Sequence, residues 1–180
     1  MNLSEVVGRY GYLAVFFGSL IEGETALVLG TLAVGKGYLS APGVLAAGFL
    51  GGFLGDQLLF FLGRQYGDAI LLKFPRLVPP AERAKALLFR FRAPLIIVVR
   101  FLYGLRAVGP IAIGMSGVPI RTFVLFNAIG AALWVLVITT FVSTLAGIVA
   151  WLLAHTLIFK VVTVSSLLSL ITIVYWRSRR

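Results

Sequence analysis

Residues 122–154 read TFVLFNAIGAALWVLVITTFVSTLAGIVAWLLA, a stretch without a charged side chain. A helix crosses the hydrocarbon core of a bilayer with about 20 apolar residues, so this stretch is long enough to span it with tilt. The whole chain of 180 residues is similar, with 60% hydrophobic residues, 12% charged residues and a mean hydropathy of +1.04. Soluble domains contain about 25% charged residues. The composition therefore excludes ordinary soluble enzymes, disordered chains and disulfide-stapled secreted domains, and it predicts an all-α integral membrane protein.

Residues for metal or thiol chemistry are scarce. The chain has no cysteine, one histidine and six carboxylates, so we expect no disulfide, no thiol catalysis, no metal site and no cofactor. A net charge of +10 is compatible with nucleic-acid binding, but no soluble segment is long enough for such a domain. Basic loops that face an anionic leaflet explain the charge better. Met1 to Val7 lacks the basic cluster of a signal peptide, so we expect the N-terminus to be retained.

Charge divides the apolar part of the chain into five stretches, at residues 11–35, 39–63, 93–120, 122–154 and 157–176. The link at 64–92 carries seven basic side chains against two acidic ones, and the tail after residue 176 carries three arginines. Basic loops stay in the cytoplasm. We therefore expect an amphipathic cytoplasmic link, a C-terminal transmembrane helix at 157–176 and a cytoplasmic C-terminus in a multi-pass membrane protein.

The number of membrane crossings makes the third apolar stretch, at residues 93–120, unusual. Two cytoplasmic segments are joined by an even number of crossings, yet three apolar stretches lie between the basic link and the basic tail. One stretch must enter and leave on the same side. Residues 93–120 are the candidate, because Arg100 and Arg106 lie at their centre and Gly104 and Pro110 interrupt them. The prediction is a re-entrant hairpin.

The first stretch has the same character, because Glu22-Gly23-Glu24-Thr25 divides it into two short pieces. If it is also re-entrant, the chain consists of two hairpin-plus-helix copies, at 11–63 and 93–154, in opposite orientations. Inverted repeats with broken helices recur in transporters. A faint internal echo supports the repeat, since each copy pairs a helix-opening proline with a glycine motif (Pro42 with Gly52 and Asp56, Pro119 with Gly130 and Trp134).

The charged residues in these stretches can face one common site only if the helices are broken. On a continuous helix Arg100 and Arg106 would lie about 240° apart, and Glu22 and Glu24 about 200° apart, so neither pair could face one site. At a hairpin tip both pairs can, and Gly23 and Gly104 permit the turns. Pro110 suits the first turn of one returning half-helix, and Thr25 is a candidate N-cap for the other. Both half-helices would direct their anion-attracting N-terminal ends at the midplane.

Charges at the centre of a bilayer cost from about 2.5 kcal/mol upward each, so they need a reason. Glu22, Glu24 and Asp56 nearly balance Arg100 and Arg106. One interpretation is a set of static salt bridges that hold the hairpins together. The other, which the breaks in the backbone favour, is a polar cavity in which the arginines hold an anionic group and an acid carries a proton.

The same residues carry a family resemblance. It rests on S-L-I-E-G-E-T at 19–25, G-G-F-L-G-D-Q at 51–57 before Gly63-Arg64, and R-F-L-Y-G-L-R at 100–106 before Gly109-Pro110 and Gly114. Over about residues 10–155 the chain resembles the DedA family of bacterial inner-membrane proteins, whose domain is also called VTT or SNARE-associated. The resemblance implies opposed re-entrant hairpins and transport of undecaprenyl phosphate or a phospholipid, linked to the proton-motive force. It also implies phosphate binding by Arg100 and Arg106, and proton coupling by Glu22 or Glu24 and Asp56.

Three functions remain open from the residues. We favour a lipid transporter whose partners are an anionic head group and protons. The alternative is a proton-coupled antiporter of a small ion or osmolyte, which would use the same acids in a pore closed to lipid. An intramembrane serine enzyme is disfavoured, because we expect Ser116 and His155 near opposite membrane faces. Gly48-x-x-x-Gly52 and Gly51-x-x-x-Gly55 permit close helix contact, either with the adjacent hairpin, which we favour, or with another subunit of a homo-oligomer.

Overall fold

The computed structural model describes residues 3–73, 75–79, 82, 86, 94, 96–98, 100–101 and 108–178, and this part of the chain is helical without strands. Its helices are α1 (Leu3–Ile21), α2 (Glu24–Gly35), α3 (Ala41–Lys73), a 3-10 turn (Pro75–Leu77), α4 (Val108–Met115) and α5 (Ile120–Ser178). Within the described ranges, two segments are long and apolar enough to cross a membrane, Ala41–Gly67 in α3 and Ile120–Thr156 in α5. The all-helical structure is consistent with the predicted membrane protein.

The first apolar stretch is interrupted between Ile21 and Glu24, where the sequence predicts a break. Gly23 has a φ of 88°, a conformation that glycine adopts without the steric cost of a Cβ atom. Its N–H donates to the carbonyl of Gly18 at 2.8 Å, which closes the last turn of α1. The prediction of Thr25 as N-cap is wrong, because α2 begins at Glu24, two residues earlier than that cap implies, and Gly23 occupies the cap without a side-chain hydrogen bond.

Glycines on α3 bring α1 into backbone contact. A Cβ atom at Gly51 would lie 2.2 Å from the carbonyl oxygen of Phe16, and one at Gly55 would lie 2.6 Å from that of Leu20. From the first contact to the second, the position moves four residues forward on each helix, so α1 runs parallel to α3. The favoured partner of the glycine motif, the adjacent segment of the same chain, is therefore the one observed.

Helix α3 extends ten residues beyond its predicted end at residue 63, to Lys73. Its last turns pack against α4, since a Cβ atom at Gly63 would lie 2.1 Å from the carbonyl oxygen of Ile111 and one at Gly67 would lie 2.5 Å from Met115 Cγ. This close packing stabilises the added turns, so the predicted link at 64–92 begins as helix. Most of its remainder lies outside the described residues.

Helix α5 is continuous from Ile120 to Ser178, whereas the sequence predicts separate helices at 122–154 and 157–176. The residues between the two predictions do not break a helix. Thr156 donates its hydroxyl to the carbonyl of Leu152 at 3.1 Å, and His155 Nδ1 lies 2.9 Å from that of Trp151. Both contacts span four residues and are compatible with uninterrupted helical backbone.

The described residues up to Val142 form one compact unit, in which α3 and α5 run antiparallel. Phe60 stacks on Phe123 with ring centroids 4.0 Å apart, while Gly48, earlier on α3, faces Val135, later on α5. Two buried apolar clusters result, one around Leu27, Val44 and Trp134 and the other around Phe60, Ile113 and Phe123.

The second unit begins at Ser143 and consists of the remainder of α5. Its described side chains are exposed, among them Leu145, Ile148 and Leu152. A helix that is apolar all round is typical of lipid surroundings.

Candidate functional site

A buried ion pair joins α3 to the segment that precedes α4. Arg100 Nη1 donates to Asp56 Oδ2, and the two side chains are 2% and 8% exposed. Arg100 lies in a turn after the helical residues 96–98, where its N–H donates to the carbonyl of Ile97 at 3.3 Å. Burying two charges is expensive, and the cost is offset only when the pair is close and further hydrogen bonds satisfy both groups.

Helix α5 supplies further contacts to the guanidinium. Arg100 Nη1 also donates to Asn127 Oδ1 at 3.2 Å, and Asn127 Nδ2 donates to the carbonyl of Phe53 at 3.2 Å. The Arg100 Cζ atom lies 5.0 Å from the centroid of the Trp134 ring, within the range of a cation–π interaction. Gly130 lies between these two residues, and a Cβ atom there would be 3.9 Å from Arg100 Cδ. We call Asn127, Gly130 and Trp134 the α5 seat.

A small cavity borders the ion pair. Its volume is about 10 Å³, enough for one water molecule and too small for a lipid head group. The polar lining comes from the ion pair and Asn127, and the apolar lining from Ile96, Pro110, Ile113 and Phe123. Since Pro110 belongs to the first turn of α4, the N-terminal end of that helix borders the cavity.

The structure brings together only part of the predicted constellation. Asp56 and Arg100 meet directly, and Pro110 lines their cavity. Glu22 is exposed at the break between α1 and α2, and Glu24 is half-buried in the first turn of α2. Arg106 and Gly104 lie outside the described residues. Among the residues that the structure describes, no cluster of potential ligands could hold a metal ion.

Three polar or aromatic residues of this region were not predicted from the sequence to belong to the site. Asn127 and Trp134 lie in the charge-free stretch at 122–154, and Gln57 directly follows Asp56. Gln57 is buried, and both polar atoms of its amide lack a hydrogen-bond partner in the described part of the chain. The available signal was an amide inside an otherwise apolar segment, because buried polar groups in membranes are costly and mark functional sites.

Comparison with known proteins gives consistent matches. The model of the VTT domain family matches residues 22–144, a range that includes the ion pair and the α5 seat. The inner membrane protein YohD of Escherichia coli (strain K12) is 41% identical over 140 residues, covering 78% of this chain and 73% of its own. Protein DedA of the same strain is 26% identical over 161 residues, with coverages of 77% and 72%.

A cyanobacterial relative matches as well. The uncharacterized membrane protein slr0232 of Synechocystis is 34% identical over 168 residues, covering 83% of this chain and 77% of its own. No solved structure gives a significant match. Sequence similarity therefore extends over most of the chain.

Proposed function

The chain belongs to the VTT-domain family of DedA-like membrane proteins, and from this premise we propose that it moves an anionic lipid across the bacterial inner membrane, driven by protons. The proposed cargo is a lipid with a phosphate head group, either undecaprenyl phosphate or a phospholipid. Two relatives are named inner membrane proteins, YohD and YghB, which supports the same location for this chain. These names describe membrane proteins and do not mention an enzyme activity.

We propose that residues 11–35 and 93–120 are opposed re-entrant hairpins of an inverted repeat with copies at 11–63 and 93–154. The burial pattern supports this arrangement. Of the ten buried positions described in α3, six recur 79 residues later as buried positions of α5, whereas Gln57, Phe60, Gly63 and Gly67 do not. This spacing is one residue more than that of the sequence echo. The matching positions are Val44, Gly48, Gly51, Gly52, Gly55 and Asp56 in α3 and Phe123, Asn127, Gly130, Ala131, Trp134 and Val135 in α5.

The turns before the two long helices add further support. Gly37 precedes α3 with a φ of 76°, and Gly117 precedes α5 with a φ of 78°. In addition, α1 lies along the first half of α3 and α4 along its second half, so the two proposed hairpins approach the middle of α3 from its two ends. In this arrangement the link at 64–92 and the C-terminus are cytoplasmic.

One observation carries the transport mechanism: the buried Asp56–Arg100 pair beside the cavity. While Asp56 is charged, it occupies the guanidinium. A proton on Asp56 removes that attraction and frees Arg100 for a phosphate, to which its planar fork can donate two parallel hydrogen bonds. Loss of the proton restores the ion pair and expels the phosphate. Proton transfer and lipid release are thereby linked.

A purely structural pair explains the arrangement less well. Replacement of a buried ion pair by apolar residues of similar volume is often neutral or stabilising, so stability alone gives little reason to keep one. An exchange of partners needs both charges, a neighbouring space and breaks in the backbone. Asp56 and Arg100 provide the charges and Gly23 a break in the backbone, while the cavity, which has room for one water molecule, must widen to admit a phosphate.

Reconstitution tests the proposal. Full-length protein is placed in vesicles that contain a labelled phosphate lipid in one leaflet, with and without an imposed pH gradient. We expect the label to reach the other leaflet faster than in protein-free vesicles, and the gradient to increase the rate. Rates equal to those of protein-free vesicles would contradict lipid transport. Gradient-driven flux of a small solute in place of lipid would favour the antiporter.

A further inference from the structure

The three residues of the α5 seat lie beside Arg100 on one face of α5. Its members are spaced by three and four positions, the spacing that puts side chains on one side of a helix. Asn127 contacts the guanidinium at Nη1, Trp134 faces its Cζ atom, and Gly130 leaves room for the aliphatic part of the side chain. Arg100 therefore has two kinds of partner: a carboxylate on α3 and neutral groups on α5.

The orientation of Asn127 is fixed by its second contact. Because Nδ2 donates to the carbonyl of Phe53, the amide oxygen is directed at Arg100. A flipped amide would bring an N–H donor against the guanidinium, which has no acceptor. Asn127 thus presents an acceptor that carries no net charge and does not change with pH.

We propose that the α5 seat holds Arg100 in place after Asp56 takes up its proton, and that Asn127 and Trp134 are positioning residues for phosphate binding. This inference rests on the proposed function. Protonation of Asp56 removes the negative charge of the carboxylate that Arg100 contacts, whereas the amide oxygen and the ring face stay attractive to a cation. Arg100 then keeps both its charge and its position, so phosphate binding does not have to order the side chain again.

The test measures binding of a fluorescent phosphatidic acid to the full chain in nanodiscs of phosphatidylcholine, between about pH 5 and pH 8. Asn127→Leu removes the acceptor, and we expect affinity at the acidic end to fall about tenfold to 150-fold, the factor for one hydrogen bond to a charged group. Thr140→Leu is the matched control, an exposed polar residue of α5 that should keep wild-type binding.

Asn127→Asp gives the sharper readout, because a second carboxylate would keep Arg100 paired after Asp56 is protonated. We expect it to abolish the increase in affinity at low pH, which a merely structural role of Asn127 would not predict. Trp134→Phe retains a ring and should bind within about threefold of wild type, while Trp134→Leu should lose about tenfold.

Thermal unfolding of each variant identifies those that fold. If Trp134→Leu does not fold, the two Asn127 variants still test whether the α5 seat positions Arg100. Wild-type affinity and pH dependence in both Asn127 variants would overturn this inference and leave the proposed function intact. Absence of saturable binding in the wild-type protein would instead overturn the proposed function, and the inference with it.

Discussion

At the scale of single residues, the site depends on two buried charges that compensate each other. Asp56 and Arg100 are both buried, so loss of either partner leaves an uncompensated charge at a cost of about 3–5 kcal/mol. A substitution that keeps the charge separates electrostatic balance from phosphate recognition. A static salt bridge would tolerate such a substitution, whereas an arginine that exchanges its carboxylate partner for a phosphate would not.

We predict that Arg100→Lys will impair lipid transport despite its conserved charge. Lysine balances Asp56 but lacks the planar fork that binds phosphate through two parallel hydrogen bonds. The loss should weaken phosphate binding by about 1.5–3 kcal/mol, the range for hydrogen bonds to charged groups. Flux of labelled lipid in vesicles and head-group affinity measure the effect. Wild-type rate and affinity in Arg100→Lys would favour the static salt bridge.

Gln57 poses the opposite case, a buried polar group without a compensating contact. An unsatisfied buried amide costs about 1–3 kcal/mol, and both polar atoms of Gln57 lack a partner in the described structure. We therefore predict that Gln57→Met, which conserves length, will raise the free energy of unfolding by about 1 kcal/mol. Denaturant unfolding in detergent measures it, with the exposed Gln65→Met as control. A loss of stability in Gln57→Met alone would contradict the prediction.

At the scale of elements, glycines decide which helices touch. Gly51 and Gly55 allow α1 to lie against α3, and Gly63 allows the same for α4. Close approach of this kind increases the dispersion contacts between helices. In lipid, where the hydrophobic effect does not drive helices together, such contacts drive their association. The contacts are between backbones, so they tolerate no added side chain.

We predict that Gly55→Ala will destabilise the protein by about 1–3 kcal/mol, the usual cost of overpacking. Its Cβ atom would lie 2.6 Å from the carbonyl oxygen of Leu20, a backbone atom that can move only if α1 shifts. Gly147→Ala is the control, because that position has open space and alanine is the better helix former. The difference in unfolding free energy between the two variants is the measurement. Equal effects would show that α1 is not held against α3 at Gly55.

Sequence reasoning worked best where charge or glycine interrupts an apolar run. It identified the break near Gly23 and drew attention to Asp56 and Arg100, because such residues carry a visible cost in a membrane. It did not find Asn127, since an uncharged amide barely changes the hydropathy of its segment. It also divided α5 at residues 155–156, because hydropathy marks where polar residues lie and not whether the backbone stays helical there.

At the scale of the whole molecule, the proposed inverted repeat makes a claim about sides of the membrane. Two hairpins that enter from opposite faces would bring the ion pair to the middle of the bilayer, where a head group passes between leaflets. The ends of each hairpin must then be accessible from one face only. The absence of native cysteines makes this testable, because each introduced cysteine reports alone.

We predict that Ala93→Cys and Val118→Cys will both react with a membrane-impermeant thiol reagent from the cytoplasmic side. Both positions lie near the ends of the proposed hairpin at 93–120, and its re-entrant path returns them to the face of the basic link. Labelling of intact cells and of inverted membrane vesicles measures the side. Reaction of Val118→Cys from the periplasmic side only, with Ala93→Cys cytoplasmic, would make the segment a full crossing and remove the inverted repeat.

The central claim is that a proton and a phosphate exchange places at the Asp56–Arg100 pair. Its most direct test is head-group affinity against pH in nanodiscs, for wild type, Asp56→Asn and Glu24→Gln. We predict that wild-type affinity rises as pH falls between about pH 8 and pH 5, because protonation of Asp56 frees Arg100. Asp56→Asn should bind with a flat dependence, and Glu24→Gln should flatten it only if Glu24 shares the proton. A wild-type curve without slope, or an unchanged slope in both amide variants, would contradict the claim.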